Sequence, residues 1–432
     1  MGQNFAGWIR IGVEGNKNCV MKVRFAEDLQ PDSTLDVTSN ENANASVKYI
    51  LKGNKVEIYE PRFTFFGFRY VEISSLNGPL DIISVEGRTL YSDNQPSGQF
   101  ECGNMLVNKI HKATVWSQKS NMLGYPTDCP QRDERLGWLG DWGSMVEGWK
   151  EGEPASVPTA FYFQNAKIMS YIANVLEMQD DKEYFGKLAS AVRDKFNSTY
   201  LDNLTANYND GSQMANSFPL YLGIVPENIR PRVVDNLVND IVAGHNYHLT
   251  TGVLGTKYMP EALAMEGRED IAWKIINQKS SPCWYDMVNR YTTMCEFWTL
   301  KQSKNHVMMG SIDAWFYKYL AGIRPDESAP AFSSFRIKPV ILDSLYYAGA
   351  TIETIRGTIS SHWTIEGDKF ALNVEVPFNT TAFIYLPGKL DDEVKESGRP
   401  LSKSVGVEYI GYNENYHKMK VGSGRYLFTI NN

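Results

Sequence analysis

Residues 184–200, which read YFGKLASAVRDKFNSTY, place an apolar side chain at every fourth position. Because an α-helix turns once in about 3.6 residues, this spacing puts the five apolar side chains on one stripe of a helix. The stripe consists of Tyr184, Leu188, Val192, Phe196 and Tyr200. Similar patterns predict further helices at 103–122, 158–178, 211–222, 233–241, 257–277 and 305–321. The middle of the chain, from about 100 to 325, is therefore predicted to hold seven or eight helices.

Both flanks of this helical region show the two-residue period of half-buried strands instead. Met21, Val23 and Phe25 alternate with polar residues on the N-terminal side, and residues 370–376 alternate in the same way on the C-terminal side. The pattern predicts an antiparallel β-sandwich at each end of the chain. The expected domains are a β-sandwich over 1–97, a helical domain over 98–326 and a second β-sandwich over 327–432.

Composition and charge exclude several classes of function. The formal net charge of −7 argues against a nucleic-acid partner, which requires a basic face. No apolar stretch reaches the roughly 20 residues of a membrane span, and the first residues lack the pattern of a signal peptide. The five cysteines contain no CxxC pair, so buried thiols are expected rather than a zinc site or disulfides. No metal, cofactor or membrane partner is expected, and oligomeric state and localisation stay open.

The densest group of chemically active side chains lies at residues 127–141, which read TDCPQRDERLGWLGD and are called the acidic segment below. A solvated loop with weak surface ion pairs is one interpretation of these charges. Such a loop has no need for Cys129, Leu136 and Trp138 among its charges. The mixture is typical of a pocket floor, where arginines orient acids and an aromatic ring excludes water.

A second candidate carboxylate, Glu296, stands among apolar neighbours in residues 292–298, TTMCEFW, and His306 follows ten residues later. Glu296 is either a helix-surface residue or a carboxylate held for base chemistry. Glycoside hydrolysis needs two carboxyl groups, one to protonate the leaving oxygen and one to activate water. Two separate segments of this chain supply such candidates.

At these residues the sequence resembles glycoside hydrolase family 78, the α-L-rhamnosidases. The acidic segment from Asp128 to Trp138 is similar to the family motif almost letter for letter. Residues 252–258 (GVLGTKY), 292–298 (TTMCEFW) and the pair Asn305 and His306 also resemble it. The flanking regions resemble the family as well, at residues 59–71 (YEPRFTFFGFRYV), 357–363 (GTISSHW) and 376–387.

The resemblance implies an (α/α)6-type helical barrel between two antiparallel β-sandwiches, and hydrolysis of terminal α-L-rhamnose from a glycoside or oligosaccharide with inversion. It also implies roles for particular residues. Glu134 matches the general acid and Glu296 the general base. The residues that match substrate-binding positions are Asp128, Arg132, Trp138, Asp141, Trp284 and His306.

The sequence also departs from the family pattern. Twelve helices close such a barrel, and residues 139–143 pass almost at once into 148–159, which resemble a later part of the domain. We therefore expect a shortened barrel, and upstream domains absent because residues 1–8 resemble the interior of a sandwich strand. Phe297 stands where the family usually has arginine.

The alternative function is an inactive or weakly active relic that binds rhamnose-containing glycans. A polysaccharide lyase is a more remote alternative, which the acidic segment does not match well.

Overall fold

A computed structural model describes residues 1–53, 55–133 and 156–431 of the chain. The predicted site residues Glu134, Trp138 and Asp141 lie outside these described residues. The chain divides into two compact units. The first combines Met1–Trp138 with Met287–Asn432, and the second is Leu139–Asp286.

The first unit begins with a β-sandwich, as the alternation of apolar residues predicts. Its strands are β1 Phe5–Gly15, β2 Val20–Ala26, β3 Asp28–Leu29, β4 Leu35–Asp36, β5 Ser46–Ile50, β6 Glu57–Tyr59, β7 Phe66–Phe68, β8 Tyr70–Ser75 and β9 Leu80–Thr89. One sheet forms around β1, which pairs with β6, β7 and β9, and the other has the order β5-β2-β8. All of these pairings are antiparallel. Alternate residues of β1 and β2, such as Ile9, Ile11, Met21 and Val23, are fully buried in the shared core.

The strand β10 (Gly98–Cys102) and the helix α1 (Met105–Ser120) follow. The side chain of Asn104 begins α1 by accepting hydrogen bonds from the amides of Leu106 and Val107, at 2.9 and 3.2 Å. Such a cap satisfies backbone donors that have no partner inside the helix. One face of α1 is buried, through Val107, Ile110, Ala113, Ser117 and Ser120.

The second unit is mainly helical. Its described elements are α2 Ser156–Val175, α3 Gln179–Tyr200, β11 Leu201–Asp202, β12 Asn207–Tyr208, α4 Gln213–Leu222, α5 Arg230–Asn239, α6 Val253–Met265 and α7 Glu269–Ile276. A π-helical turn, Asp240–Gly244, extends α5. The helices α2 and α3 pack against each other as a hairpin. The helix α8 (Trp284–Arg290) crosses the boundary between the two units.

Two of the predicted helices differ from the structure. The single helix expected at 257–277 is two helices, because Gly267 adopts a left-handed conformation with φ of +69° and ends the first of them. The helix expected at 305–321 begins only at Met308, with a 3-10 turn Met308–Ile312, then α9 (Asp313–Trp315) and a π-helical turn Phe316–Leu320.

The first unit ends in a second β-sandwich. Its strands are β13 Ile323–Pro325, β14 Ser334–Ile337, β15 Tyr347–Thr354, β16 Gly357–Glu366, β17 Lys369–Val376, β18 Thr381–Pro387, β19 Lys395–Glu396, β20 Arg399–Pro400, β21 Val407–Asn413, β22 Tyr416–Val421 and β23 Gly424–Asn431. They form a sheet of order β10-β15-β16-β17-β23-β19-β20 and another of order β13-β14-β18-β22-β21. The prediction of antiparallel sheets needs one correction, since β14 and β18 pair in parallel.

The structure bears on two expectations from the sequence, the state of the cysteines and the presence of membrane-spanning helices. The five cysteines are free thiols and all of them are buried, which confirms the expectation of buried thiols. Among the described helices, none combines the length and the apolar character that a bilayer crossing requires.

Candidate active site

The described part of the acidic segment is held at the C-terminal end of α1. The backbone amide of Thr127 donates to the carbonyl of Asn121 at 2.9 Å, and the Thr127 hydroxyl donates to the Asn121 side-chain oxygen at 3.0 Å. Asn121 is the residue that ends α1. The end of the helix therefore fixes where the acidic segment begins.

The N-terminal sandwich supports the same segment from the other side. A Cβ atom on Gly67, in β7, would lie 2.6 Å from the backbone nitrogen of Gln131 and 2.8 Å from Pro130. Only glycine permits so close an approach of two backbones. The Gln131 side chain also donates to the carbonyl of Ser39, at 3.2 Å. Residues 130 and 131 therefore lie directly on the sandwich.

Glu296 lies in a second loop, residues 291–306, which we call the Glu296 loop. The loop folds back on itself, because the amide of Glu296 donates to the carbonyl of Ser303 and that of His306 donates to the carbonyl of Met294. It is also fastened to α1, since the Met294 amide donates to the hydroxyl of Ser117 at 2.8 Å. The helix α1 thus holds both the acidic segment and the Glu296 loop.

Arg132 joins the two segments at the centre of the cluster. Its Nη2 donates to Oε2 of Glu296 at 2.6 Å, and its Nη1 donates to Oδ2 of Asp128 at 3.4 Å. Its Nε lies 3.2 Å from Oε1 of Glu41, a residue of the N-terminal sandwich. Although burial acts to lower the pKa of the guanidinium, the acidic groups around it raise that pKa above its ordinary value. Arg132 therefore stays charged and fixes the directions of three carboxylates.

Asp128 and His306 form the second contact between the acidic segment and the Glu296 loop. His306 Nε2 lies 2.7 Å from Oδ1 of Asp128, and both residues are buried. The backbone amide of Met308 lies 3.3 Å from Nδ1 of His306, a geometry that matches the tautomer in which Nε2 donates to the Asp128 carboxylate.

The two oxygens of the Glu296 carboxylate have different surroundings. Oε2 accepts hydrogen bonds from Arg132 and, at 3.2 Å, from the backbone amide of Ser303. Oε1 has no partner among the residues that the structure describes. The described part of the chain thus fixes one oxygen and gives the other no partner.

A buried carboxylate, Glu27, supports the Glu296 loop from behind. Its Oε2 accepts from the backbone amide of Lys304 at 3.0 Å, and its Oε1 accepts from the side chain of Asn4 at 2.9 Å. Glu27 has no exposed surface, and burial raises the pKa of its carboxyl group. The sandwich therefore fixes residue 304, which follows the Ser303 amide that binds Glu296.

Four of the predicted site residues come together in this cluster: Asp128, Arg132, Glu296 and His306. Trp284 belongs to the second unit, where it is fully buried at the start of α8, and it remains a predicted pocket residue. Glu134, Trp138 and Asp141 lie outside the described residues, so their roles also remain predictions. Across the described ranges, no group of three or more His, Cys, Asp or Glu residues is placed to hold a metal ion.

Sequence reasoning missed Glu27 and Glu41, which contact the cluster from the N-terminal sandwich. They are distant in sequence from Arg132 and Lys304, and neither stands in a distinctive motif. Gln131 was quoted within the acidic segment but given no role, although its side-chain oxygen accepts from the hydroxyl of Ser303 at 3.2 Å. A polar residue inside a dense functional motif was the signal that could have identified it.

Comparison with known proteins shows which family the chain resembles. The model for the bacterial α-L-rhamnosidase six-hairpin glycosidase domain matches residues 95–149 and 139–320, which include every residue of the cluster except those from the N-terminal sandwich. The chain belongs to glycoside hydrolase family 78. Residues 1–91 match the family's concanavalin-like domain, and residues 322–400 match its C-terminal domain. The architecture is therefore a concanavalin-like β domain, a six-hairpin helical domain and a C-terminal β domain.

Several family 78 proteins resemble this chain over nearly its whole length. The structure of α-L-rhamnosidase from Dictyoglumus thermophilum has 30% sequence identity and a TM-score of 0.91, and the match covers 100% of this chain and 61% of that one. The Streptomyces avermitilis α-L-rhamnosidase, solved with L-rhamnose, has 26% identity and a TM-score of 0.89, over 99% of this chain and 51% of that one. A curated α-L-rhamnosidase of Formosa agariphila is 24% identical, over 99% of this chain and 59% of its own length.

The chain is shorter than these family 78 relatives. It spans about half the length of the curated Streptomyces avermitilis protein, to which it is 27% identical. That alignment runs over 542 positions although this chain has 432 residues, a difference of 110 positions. The helical-domain model matches in two segments that meet at residues 139–149. This is the place where the sequence predicts a shortened barrel.

Proposed function

We propose that this chain hydrolyses terminal α-L-rhamnose residues of rhamnosides by an inverting mechanism, with Glu296 as the general base and Glu134 as the general acid. The Glu296 carboxylate is the observation that carries the proposal. Arg132 and the Ser303 amide orient it through Oε2, and Oε1 has no partner among the described residues. A carboxylate of this kind can take a proton from a water molecule as that water attacks the anomeric carbon.

The remaining members of the cluster would bind the sugar. Asp128 and Arg132 are side chains with charge-assisted hydrogen-bonding capacity, and both are held rigidly by their contacts with His306 and Glu296. Rigid polar groups orient a ligand at low entropic cost. The Streptomyces avermitilis relative was solved in complex with L-rhamnose, which suggests the sugar that occupies the corresponding position here.

The general acid is proposed from the family motif alone. Glu134 follows Arg132 and Asp133 directly, so the described part of the acidic segment ends at its neighbour. Inversion requires the two carboxyl groups to be ~6.5–9.5 Å apart, which leaves space for a water molecule between base and anomeric carbon. A separation near ~5 Å would instead correspond to a retaining enzyme.

A second function, binding of rhamnose-containing glycans without turnover, is favoured by one observation. The Streptomyces avermitilis alignment is 110 positions longer than this chain, and the helical-domain match divides into two segments that overlap at residues 139–149, a few positions after Glu134. Loss of helices there would leave the sugar-binding residues of the Glu296 loop in place and misplace the acid.

One pair of measurements separates the two functions. Turnover of an aryl α-L-rhamnoside is measured beside a thermal-shift titration with L-rhamnose. Turnover by the wild type, lost in Glu296→Gln and kept in the surface control Glu327→Gln, supports the hydrolase. A thermal shift without turnover supports the binding protein. If the chain shows no turnover and L-rhamnose causes no thermal shift, that result contradicts both functions.

A further inference from the structure

A second cavity lies in the first unit, away from the Glu296 cluster. Its volume is about 640 Å³, within the range of small-molecule binding sites. Its walls come from α1, from the segment that precedes β10, from the turn containing Tyr317 and from the end of β15. It has the size of a ligand site, and none of its lining residues belongs to the Glu296 cluster.

The helix α1 separates this cavity from the candidate active site. His111, Val115 and Gln118 line the cavity, and their spacing of three and four residues puts them on one face of the helix. The opposite face includes Ser117, which fastens the Glu296 loop. The cavity and the Glu296 loop therefore contact different faces of α1.

The charged side chains of the cavity are already engaged within the protein. His111 Nδ1 lies 2.9 and 3.1 Å from the two carboxylate oxygens of Asp313, and each side chain of this pair is 17% exposed. Glu353 accepts from the hydroxyl of Thr358 at 2.9 Å. The Lys119 ammonium lies over the rings of Tyr91 and Trp116, at 5.4 and 5.6 Å. Each of these charged side chains has a contact within the protein, and the lining carries both signs of charge, in Lys119 and in Asp313 and Glu353, so it favours no ion of a single sign.

The polar groups left over are neutral. Within the described part of the chain, the amide of Gln118 and the hydroxyl of Tyr317 have no hydrogen-bond partner, although both side chains line the cavity. His111 uses Nδ1 for Asp313, so its Nε2 is the ring atom left for a ligand. Amide, phenol and imidazole groups both donate and accept hydrogen bonds, which matches the hydroxyl groups of a sugar.

Aromatic surface completes the cavity. The rings of Tyr91, Tyr317 and Phe332 are among its lining residues. The Tyr317 ring is fixed by packing against Phe100 and His111, at centroid distances of 5.7 and 6.0 Å. Rigid aromatic rings with one polar end provide apolar contact area beside a hydrogen bond, as the C–H faces and hydroxyls of a sugar ring require.

The mouth of the cavity is held in place by backbone hydrogen bonds. The Ser92 amide donates to the carbonyl of Met122 at 2.7 Å, and the Glu353 amide donates to the carbonyl of Ser97 at 2.7 Å. Residues 92–97 are thus fastened at one end to the segment that follows α1 and at the other to β15. A cavity bounded in this way exists before a ligand arrives, which reduces the entropic cost of binding.

We propose that this cavity is a second, non-catalytic binding site for a neutral saccharide. Tyr317 and Tyr91 provide the stacking surfaces, and Gln118, His111 Nε2 and the Tyr317 hydroxyl provide hydrogen bonds to sugar hydroxyls. The proposal is independent of whether the chain hydrolyses rhamnosides, because no residue of the Glu296 cluster contributes to it.

Saturation-transfer NMR on the full chain tests the proposal, with L-rhamnose, D-galactose and D-glucose as separate probes. At least one sugar should bind to the wild type and bind more weakly to Gln118→Leu and Tyr317→Ala. Removing one neutral hydrogen bond should weaken binding by roughly three- to tenfold. Tyr346→Ala is the matched aromatic control, since Tyr346 is 66% exposed and lies outside the cavity.

The outcomes separate this site from the active site. Binding that survives in Glu296→Gln and Tyr346→Ala but falls in Gln118→Leu supports the proposal, even where Tyr317→Ala fails to fold. Binding that is equally strong in the wild type and Gln118→Leu, or that disappears only in Glu296→Gln, overturns it. No binding of any of the three sugars also overturns it.

Discussion

At the scale of single residues, Arg132 determines the geometry of the candidate site. It contacts Asp128, Glu296 and Glu41, so it connects two segments of the six-hairpin domain match with the N-terminal sandwich. A lysine could not replace it, because a single ammonium group cannot satisfy several carboxylates in fixed directions. The guanidinium thereby fixes Oε2 of Glu296, while Oε1 is the oxygen proposed to act on water.

The proposed general acid leads to a prediction about leaving groups. Glu134→Gln removes the proton donor, so substrates with a poor leaving group, such as flavonoid rhamnosides, should lose most of their turnover. Aryl rhamnosides with acidic phenols need less protonation and should lose less. General acid catalysis contributes typically 10²–10⁴-fold, which sets the expected loss on the poor leaving groups at about that size. Equal losses of kcat on both kinds of substrate would remove Glu134 from the acid role.

Glu27 gives a prediction about pH. Its buried carboxyl has a raised pKa in the folded protein, so the folded state binds this proton more tightly than the unfolded state. The resulting stability is fully present below the unfolded pKa of about 4.3 and is lost as pH rises through the folded pKa. The variant Glu27→Gln carries an amide at this position, which does not titrate.

The free energy of unfolding of the wild type should therefore fall relative to that of Glu27→Gln as pH rises from about 4 to neutrality. Urea unfolding of both proteins at several pH values measures this difference. A difference that stays constant with pH, or one that changes in the opposite direction, would show that Glu27 does not carry the raised pKa.

At the scale of elements, the contact between β7 and the acidic segment is the critical packing. Gly67→Ala would place a Cβ atom 2.6 Å from the Gln131 nitrogen, so the backbone of the acidic segment must move. Overpacking of this kind lowers the free energy of unfolding by about 1–3 kcal/mol. The displacement of the acidic segment should also reduce turnover, because Arg132 follows Gln131 directly. Gly422→Ala is the matched control, since its Cβ would have no atom within 4 Å. Thermal unfolding and turnover of both variants check this, and equal behaviour of the two would contradict it.

The sequence predicted local elements better than the contacts between them. The apolar spacing of residues 184–200 depends only on helical geometry, and the helix α3 (Gln179–Tyr200) confirms it. The parallel pairing of β14 with β18 depends on residues far apart in the chain, which no local period records. The contact between Glu41 and Arg132 could not be predicted from local patterns either, because the two residues are more than 90 positions apart in the sequence. The acidic segment and Glu296 could be named as candidates because each lies within a distinctive motif.

At the scale of the whole molecule, the second unit leaves apolar surface uncovered. Along α2 and the turn that follows it, Ile168, Ile172, Val175 and Leu176 are between 42% and 62% exposed. Within the predicted stripe of α3, Val192 and Phe196 are buried, but Tyr184 is 63% exposed. Burial of one large apolar side chain stabilises a protein by roughly 1.5–3 kcal/mol. The free energy forgone by leaving several of them exposed is therefore large beside a net stability of about 5–15 kcal/mol.

The purified chain should therefore bind a hydrophobic dye such as ANS, or self-associate. The double variant Ile168→Lys and Ile172→Lys should reduce dye fluorescence and self-association, because charged side chains on this surface disfavour dye binding and contact with another apolar surface. Leu390→Lys, at an exposed apolar residue of the C-terminal domain, is the control and should change neither. Dye fluorescence and light scattering measure the two effects. A monodisperse monomer without dye binding would show that this surface is covered in solution.

The proposal that Glu296 activates water for an inverting hydrolysis is best tested by the anomeric form of the first product. Proton NMR follows the anomeric signal of rhamnose while the chain hydrolyses an aryl α-L-rhamnoside, before mutarotation mixes the two forms. We expect β-L-rhamnose to appear first, and Glu296→Gln to release it at least about a hundredfold more slowly. Appearance of α-L-rhamnose first, or unchanged release by Glu296→Gln, would contradict the proposal.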